Sequence, residues 1–271
     1  MSMSRRDFLK VAAKLAAAAG LSGSLEGILG GCASTRKDEI TYQNYLPKLE
    51  ELLNAGKFEQ ARQLVENSRD IEVPIAKAVL EQLKSEFDHE KEKHSLLFAN
   101  SEGIIVEAIS SPITHSAHTK VFISTEEADE IIRAKEKAGL VFVGAYHHHP
   151  YTKEEILKKQ KQSDEILPKK VIYEANIPSD DDLYHFKCPE YMSFPDKYLQ
   201  AHKEKVLLIG GLNHENFQLK IRAYTATHDM KGNCPKINLN QKAQEFYSTL
   251  KSNVHQKHDL SHCAEFTIAQ K

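Results

Sequence analysis

The chain has 271 residues, 41% hydrophobic and 27% charged, which suits one globular domain with an appendage or two small domains. Its 36 Lys and Arg nearly balance 38 Asp and Glu, and the net charge of −2 argues against a nucleic-acid partner and against an acidic solvating tail. Gly and Pro are too sparse for a collagen-like or low-complexity chain, whereas histidine is abundant at 14 residues, so its positions carry the information.

In chain order, Ser4-Arg5-Arg6-Asp7-Phe8-Leu9-Lys10 precedes an Ala/Leu/Gly stretch from Val11 to Gly31. Lys14 and Glu26 interrupt that stretch, so no uninterrupted apolar run of about 18 residues is present to span a bilayer. Paired arginines before a weakly apolar segment resemble a twin-arginine (Tat) export signal. Leu29-Gly30-Gly31-Cys32 resembles a bacterial lipobox, in which the cysteine becomes the first mature residue and carries lipid. Residues 1–31 are therefore expected to be a signal peptide. Cys32 would be the lipidation site of a membrane-anchored lipoprotein facing the periplasm. A short amphipathic helix is the plain alternative. Cys188, Cys234 and Cys263 remain; an oxidising compartment could join two of them, and their spacing does not choose the pair.

Residues 33–39 read as a polar tether. Tyr45, Leu49, Leu52 and Leu53, then Phe58, Ala61, Leu64 and Val65, fall at helical spacing on either side of Asn54-Ala55-Gly56-Lys57. This predicts a helical hairpin over 41–67. It resembles a single tetratricopeptide-type hairpin, and without a second copy it is expected to pack on the main domain rather than form a peptide-binding array. A helix is predicted from about Val73 to Lys91. Residues 95–99, 103–109 and 120–123 read as strands, with a turn at Asn100-Ser101-Glu102-Gly103. Residues 125–137 read as a helix, 140–146 as a strand buried on both faces, and the Lys/Glu-rich 151–170 as an exposed helical insertion. Residues 205–210 and 218–225 are the last clear strands, and the tail beyond Asn238 is weakly patterned. The order predicts an α+β domain over 73–238, with a mixed sheet flanked by helices and an insertion at 151–177. A tether and hairpin (32–72) precede it, and a tail (239–271) closes the chain.

The strand at 140–146 runs into His147-His148-His149-Pro150. On extended backbone His147 and His149 point to one side and His148 to the other, so the outer two can share one metal ion. Two surface histidines at a strand end are the bland alternative. Zinc held by two histidines commonly takes a carboxylate as third ligand, and Pro178-Ser179-Asp180-Asp181-Asp182 offers one, although S-x-x-D is also a helix N-terminus. Glu92, with Ser95-Leu96-Leu97-Phe98-Ala99 after it, stands where the chain enters the sheet. Glu86, Glu90 and Glu102 compete with it and read more readily as solvated charges.

Together these residues, E…H-x-H-P…P-S-x-x-D, resemble the JAMM/MPN-type (JAB-domain) zinc metalloproteases over roughly residues 75–225. The resemblance implies a cytidine-deaminase-like MPN/JAB fold, with Zn2+ held by His147, His149 and Asp182. It also implies that Glu92 accepts a proton from the attacking water and that Ser179 donates to the oxyanion. One departure stands out: Ser179 lies 30 residues after His149, where the family places it about ten residues on. The expected activity is zinc-dependent hydrolysis of a peptide or isopeptide amide bond in a peptide or protein substrate. The rivals are an amidase acting on a non-peptide amide and a catalytically inactive MPN-type scaffold whose hairpin 41–67 binds a protein partner. His89, His94, His115, His118, His255, His258 and His262 read as surface or tail residues.

Overall fold

Tyr45, Leu49, Leu52 and Leu53 form the buried stripe of helix α1 (Tyr45–Asn54), and Ala61, Leu64 and Val65 that of α2 (Phe58–Glu66). Gly56 makes the reversal between them, with φ of +70°, a conformation that costs a residue without Cβ nothing. Gly56 N–H reaches Leu53 O and Lys57 N–H reaches Leu52 O, closing the last carbonyls of α1 in a Schellman cap. The computed structural model describes residues 39–111, 113–117, 120–123, 125–166, 175–176, 205–226, 237–250 and 263–271. The chain divides into Met1–Glu39 and Ile40–Lys271, and the described helices and strands belong to the second unit. The segment 1–31 expected to be a signal peptide, and Cys32, Ser179, Asp182, Cys188, Cys234, His118, His255, His258 and His262, lie outside the described residues.

Among the described residues, nine strands come after the hairpin: β1 (Glu72–Ile75), β2 (His94–Ala99), β3 (Ile105–Ser110), β4 (Ile113–Ala117), β5 (Lys120–Ile123), β6 (Val141–His148), β7 (Val206–Leu212), β8 (Leu219–Ala226) and β9 (Cys263–Gln270). The other α-helices among the described residues are α3 (Lys77–Ser85), α4 (Thr125–Lys137), α5 (Lys153–Ile166) and α6 (Gln241–Tyr247). Seven strands close into a mixed barrel in the order β1-β3-β2-β6-β7-β8-β9, while β4 and β5 form a separate hairpin. β1 runs parallel to both β3 and β9, β6 runs parallel to β7, and the other neighbours are antiparallel.

This closure overturns the expected MPN/JAB sheet flanked by helices. The two strands responsible sit where the sequence pattern is least informative. β9 lies in the segment read as a tail, where it pairs with β8 and, across nearly the whole chain, with β1. β1 occupies the start of the stretch read as one helix from Val73 to Lys91; that helix runs only over Lys77–Ser85, and a loop continues to Lys93. Pro74 is tolerated inside β1 because pairing with β3 starts only at Ile75, so no ladder bond needs its missing N–H. The sequence pattern placed no element at β4 or α6, and α5, expected to be exposed, buries Ile156 and Gln160. Other elements fall where they were expected. α4 occupies 125–137, and β6 continues through His148.

The hairpin spends its apolar face on this barrel. Tyr45, Leu49, Leu53, Ala61 and Val65 share one core with Val73 and Ile75 of β1, Leu97 of β2, Tyr146 of β6, Leu208 of β7 and Phe266 of β9. A second cluster joins Ala128 and Ile132 of α4 to Leu96, Phe98 and Phe142. Adjacent β2 residues thus serve opposite faces, as the pleat requires. At the β2–β6 pairing the register shifts between Leu97 and Phe98, so that Val143 is an extra residue on β6. Such a bulge reverses the phase of the strand beyond it. It puts Tyr146 toward the main core, and His148 with it, while His147 and His149 take the opposite face.

Candidate functional site

His147 sits opposite His94 in the β2–β6 ladder, so the two imidazoles share a face; their ring planes lie within 1° of parallel at 6.5 Å. At the end of β6 the ring centroids of His147 and of His149, the residue just past the strand, are 5.2 Å apart, and both side chains are buried. Two imidazoles on one tetrahedral zinc ion, with bonds of about 2.0–2.1 Å, hold their centroids about 5 Å apart. The pair therefore fits joint ligation of one cation.

The tautomer of His149 follows from its neighbour. Its Nδ1 is 2.5 Å from the carbonyl oxygen of Ala175, which can only accept, so Nδ1 carries the proton and Nε2 keeps its lone pair. A backbone carbonyl behind a ligand histidine fixes ring orientation and raises ligand basicity. Ala175 is itself held firmly. The next residue, Asn176, is fully buried, its carbonyl accepts from Tyr224 Oη at 3.1 Å, and its Nδ2 donates to Lys220 O at 3.4 Å. Gly211 on β7 lets this segment lie close: a Cβ there would stand 2.6 Å from Ala175 O.

The segment 175–176 also bears on the long interval between His149 and Ser179. α5 begins at a reciprocal cap, where Thr152 N–H donates to Glu155 and Glu155 N–H to Thr152 Oγ1. Its Ile156 packs with Ala175 and Leu212, and Tyr151 stands 5.9 Å from the His149 ring. The excursion is thus back beside His149 by residue 175, four residues before Ser179.

Glu92 ends the loop between α3 and β2 and is buried, two residues before His94. His94 opens the β2–β6 ladder opposite His147, so Glu92 enters from the same end of the ladder as the histidine pair. Its competitors are engaged or outside. Glu86 accepts from Ser95 Oγ at 3.0 Å, on the core side of β2, and Glu90 and Glu102 are exposed. Among the described residues, no three His, Cys, Asp or Glu side chains gather to hold a metal ion. The histidine pair would need a ligand from elsewhere in the chain, and Asp182 lies outside the described residues.

His148 turns the other way. Its Nε2 lies 3.1 Å from both Asp88 O and Lys91 O and 3.2 Å from Asp88 N, and its ring packs on Phe87 and Tyr146. Burial pushes its pKa down to about 4, so the ring is neutral at pH 7. Burial likewise raises the Tyr146 phenol, whose hydroxyl donates to Leu83 O. The Asp88 carboxyl is lowered, chiefly by the backbone N–H of Glu90.

Sequence reasoning missed two participants. His94, read as a surface residue, is half-buried beside His147, with Nδ1 2.6 Å from Ser111 Oγ; its cross-strand position was the signal. The Ala175 carbonyl has no side-chain signature to find.

No protein-family model matches the sequence, and no curated protein matches it. Among solved structures, the chain is similar to the solution structure of protein DSY2949 from Desulfitobacterium hafniense, at 14% identity and a TM-score of 0.39, covering 73% of this chain and 92% of that one.

Proposed function

We propose that this protein is a zinc-dependent hydrolase of an amide bond in a peptide or protein, exported and anchored to the membrane by lipid on Cys32. The observation that carries the reading is the His147–His149 pair. Two buried imidazoles share one strand face at the centroid separation of a common tetrahedral ligand set, and one is oriented through Nδ1 by a main-chain carbonyl. The reading rests on these residues and not on an MPN/JAB fold, which the barrel excludes.

A bound Zn2+ ion supplies a Lewis acid that polarises a carbonyl and makes water a nucleophile near neutral pH. The chain does the rest. His147 and His149 bind through nitrogen, and Ala175 O keeps His149 in the tautomer that can bind. Asp182 is the proposed third ligand, for the carboxylate its P-S-x-x-D motif supplies. Glu92 takes the proton from the attacking water and delivers it to the departing amine, a role suited to a carboxylate at the edge of the pair. Ser179 donates a hydrogen bond to the oxyanion; loss of such a donor raises the barrier by about 3 kcal/mol.

The test is metal content followed by cleavage. The purified full chain should carry about one zinc ion per molecule, and His149→Ala should lose it. Glu92→Gln should keep zinc and abolish cleavage of a mixed peptide library read by mass spectrometry. A wild-type protein that binds no zinc after dialysis against the metal overturns the proposal. Glu92→Gln with undiminished cleavage removes Glu92 from its role.

A further inference from the structure

The histidine between the two proposed ligands is the least exposed of the three, and its polar edge is turned on the loop that leads to Glu92. The loop from Glu86 to Lys93 joins α3 to β2, and Glu92 is its buried acidic residue. His148 Nε2 meets this loop at two carbonyls three residues apart, Asp88 O and Lys91 O, and at one N–H, that of Asp88.

The ring meets the loop in either tautomer. With the proton on Nε2 it donates to Asp88 O or Lys91 O, and with the proton on Nδ1 its Nε2 accepts from Asp88 N–H. His148 Nδ1 is buried and has no hydrogen-bond partner among the described residues, so the polar contacts of the ring go to this loop through Nε2.

We propose that His148 is a positioning residue: its Nε2 pins the 88–91 loop to β6 and so holds Glu92 at the strand end that carries the histidine pair. This rests on the proposed roles of Glu92 and the histidine pair. One strand end thereby serves both halves of the site. Alternate histidines face the cation, and the one between them fixes the base by way of the adjoining loop. The lever arm is a single residue, since Lys91, whose carbonyl oxygen lies 3.1 Å from Nε2, directly precedes Glu92.

Two conservative variants separate the contact from the bulk of the ring. A glutamine at 148 carries its amide N–H to where Nε2 stands, whereas asparagine reaches only as far as Nδ1. Amide hydrogen exchange on the metal-free full chain should show peptides covering residues 86–93 exchanging at least tenfold faster in His148→Asn than in wild type, and within about twofold of wild type in His148→Gln. The second readout uses cobalt(II) alone as probe. Glu92→Gln should displace the pH midpoint of the cobalt visible band; His148→Asn should displace it in the same direction, and His148→Gln should leave it in place. Unchanged loop exchange in His148→Asn overturns the proposal, as does a loosened loop with an unmoved cobalt midpoint. A wild-type chain that takes up no cobalt defeats the metal reading instead, and the exchange comparison then decides by itself whether His148 holds the loop.

Discussion

Gly144 has no space for a side chain: a Cβ there would come within 1.8 Å of Val206 O, a main-chain atom of the paired strand that cannot step aside. Gly144→Ala should therefore cost at least about 3 kcal/mol in urea unfolding, because β6 must part from β7 or lose its bulge. Gly211→Ala should act differently. The added methyl presses on Ala175 O, the acceptor behind His149, so zinc affinity measured against a chelating dye should fall about 10–100-fold, the range for disturbed outer-shell partners of ligand histidines. Unchanged affinity would release Ala175 from that role. His148 gives a pH dependence of definite sign. Its pKa is lowered in the folded chain from 6.5 to about 4, first by burial, and His147 and Lys93 push the same way. Protonation thus favours the unfolded chain: the neutral ring's contribution is complete above pH 6.5 and is lost as pH falls toward 4. The loss should be about 3 kcal/mol in metal-free protein, and His148→Gln should lack it, as denaturation at several pH values would show.

Helix α6 and the α1–α2 turn are joined by two asparagines. Asn240 caps α6 by accepting from Ala243 N–H at 2.9 Å, while its own N–H donates to Asn54 Oδ1 and Asn54 Nδ2 donates to Asn238 O at 2.7 Å. Asn240→Ala should cost about 1–2 kcal/mol, an N-cap plus the Asn240 Nδ2 bond to Asn54 O, seen as a lowered urea midpoint with unchanged slope. These contacts span more than 180 residues and illustrate what local pattern can and cannot disclose. The helix stripes of α1, α2 and α4 and the apolar run of β6 are local, and periodicity places them. So is the alternation that splits His147 and His149 from His148. β1 and β9 are legible only as partners of each other. β1 is four residues long and contains a proline, and β9 pairs with it from the opposite end of the chain. An alternation of Ala264, Phe266 and Ile268 with Glu265 and Thr267 is present in β9, but nothing nearby in sequence shows where it pairs. Glu92 could be ranked above Glu86, Glu90 and Glu102 only by its junction position, whereas burial now separates them.

Closure of the barrel binds the hairpin, the site and the C-terminus into one unit, and β9 is the strand on which this depends. Its Phe266 is buried and meets Tyr45 of α1 edge to face at 5.2 Å, so the closing strand is also a contact for the hairpin. Around it, Arg69 pairs with Glu265 at 2.6 Å, Ser68 Oγ donates to Glu265 O, and Thr267 Oγ1 donates to Arg69 O, clasping β9 to the turn that precedes β1. Without β9, both β1 and β8 would become open edges with unpaired backbone groups, the arrangement that seeds association between chains. Phe266→Ala leaves the backbone ladder intact and removes only the packing, at an expected cost of about 3–5 kcal/mol. Because the hairpin has no core apart from the barrel, its loss of order should coincide with that of the sheet. Amide hydrogen exchange in peptides from 45–66 and in peptides from β2, β6 and β7 should then follow a single urea transition in both wild type and Phe266→Ala. Exchange across 45–66 that rises at lower urea than exchange in the sheet would show instead that the hairpin is a separable unit resting on a barrel that stands without it.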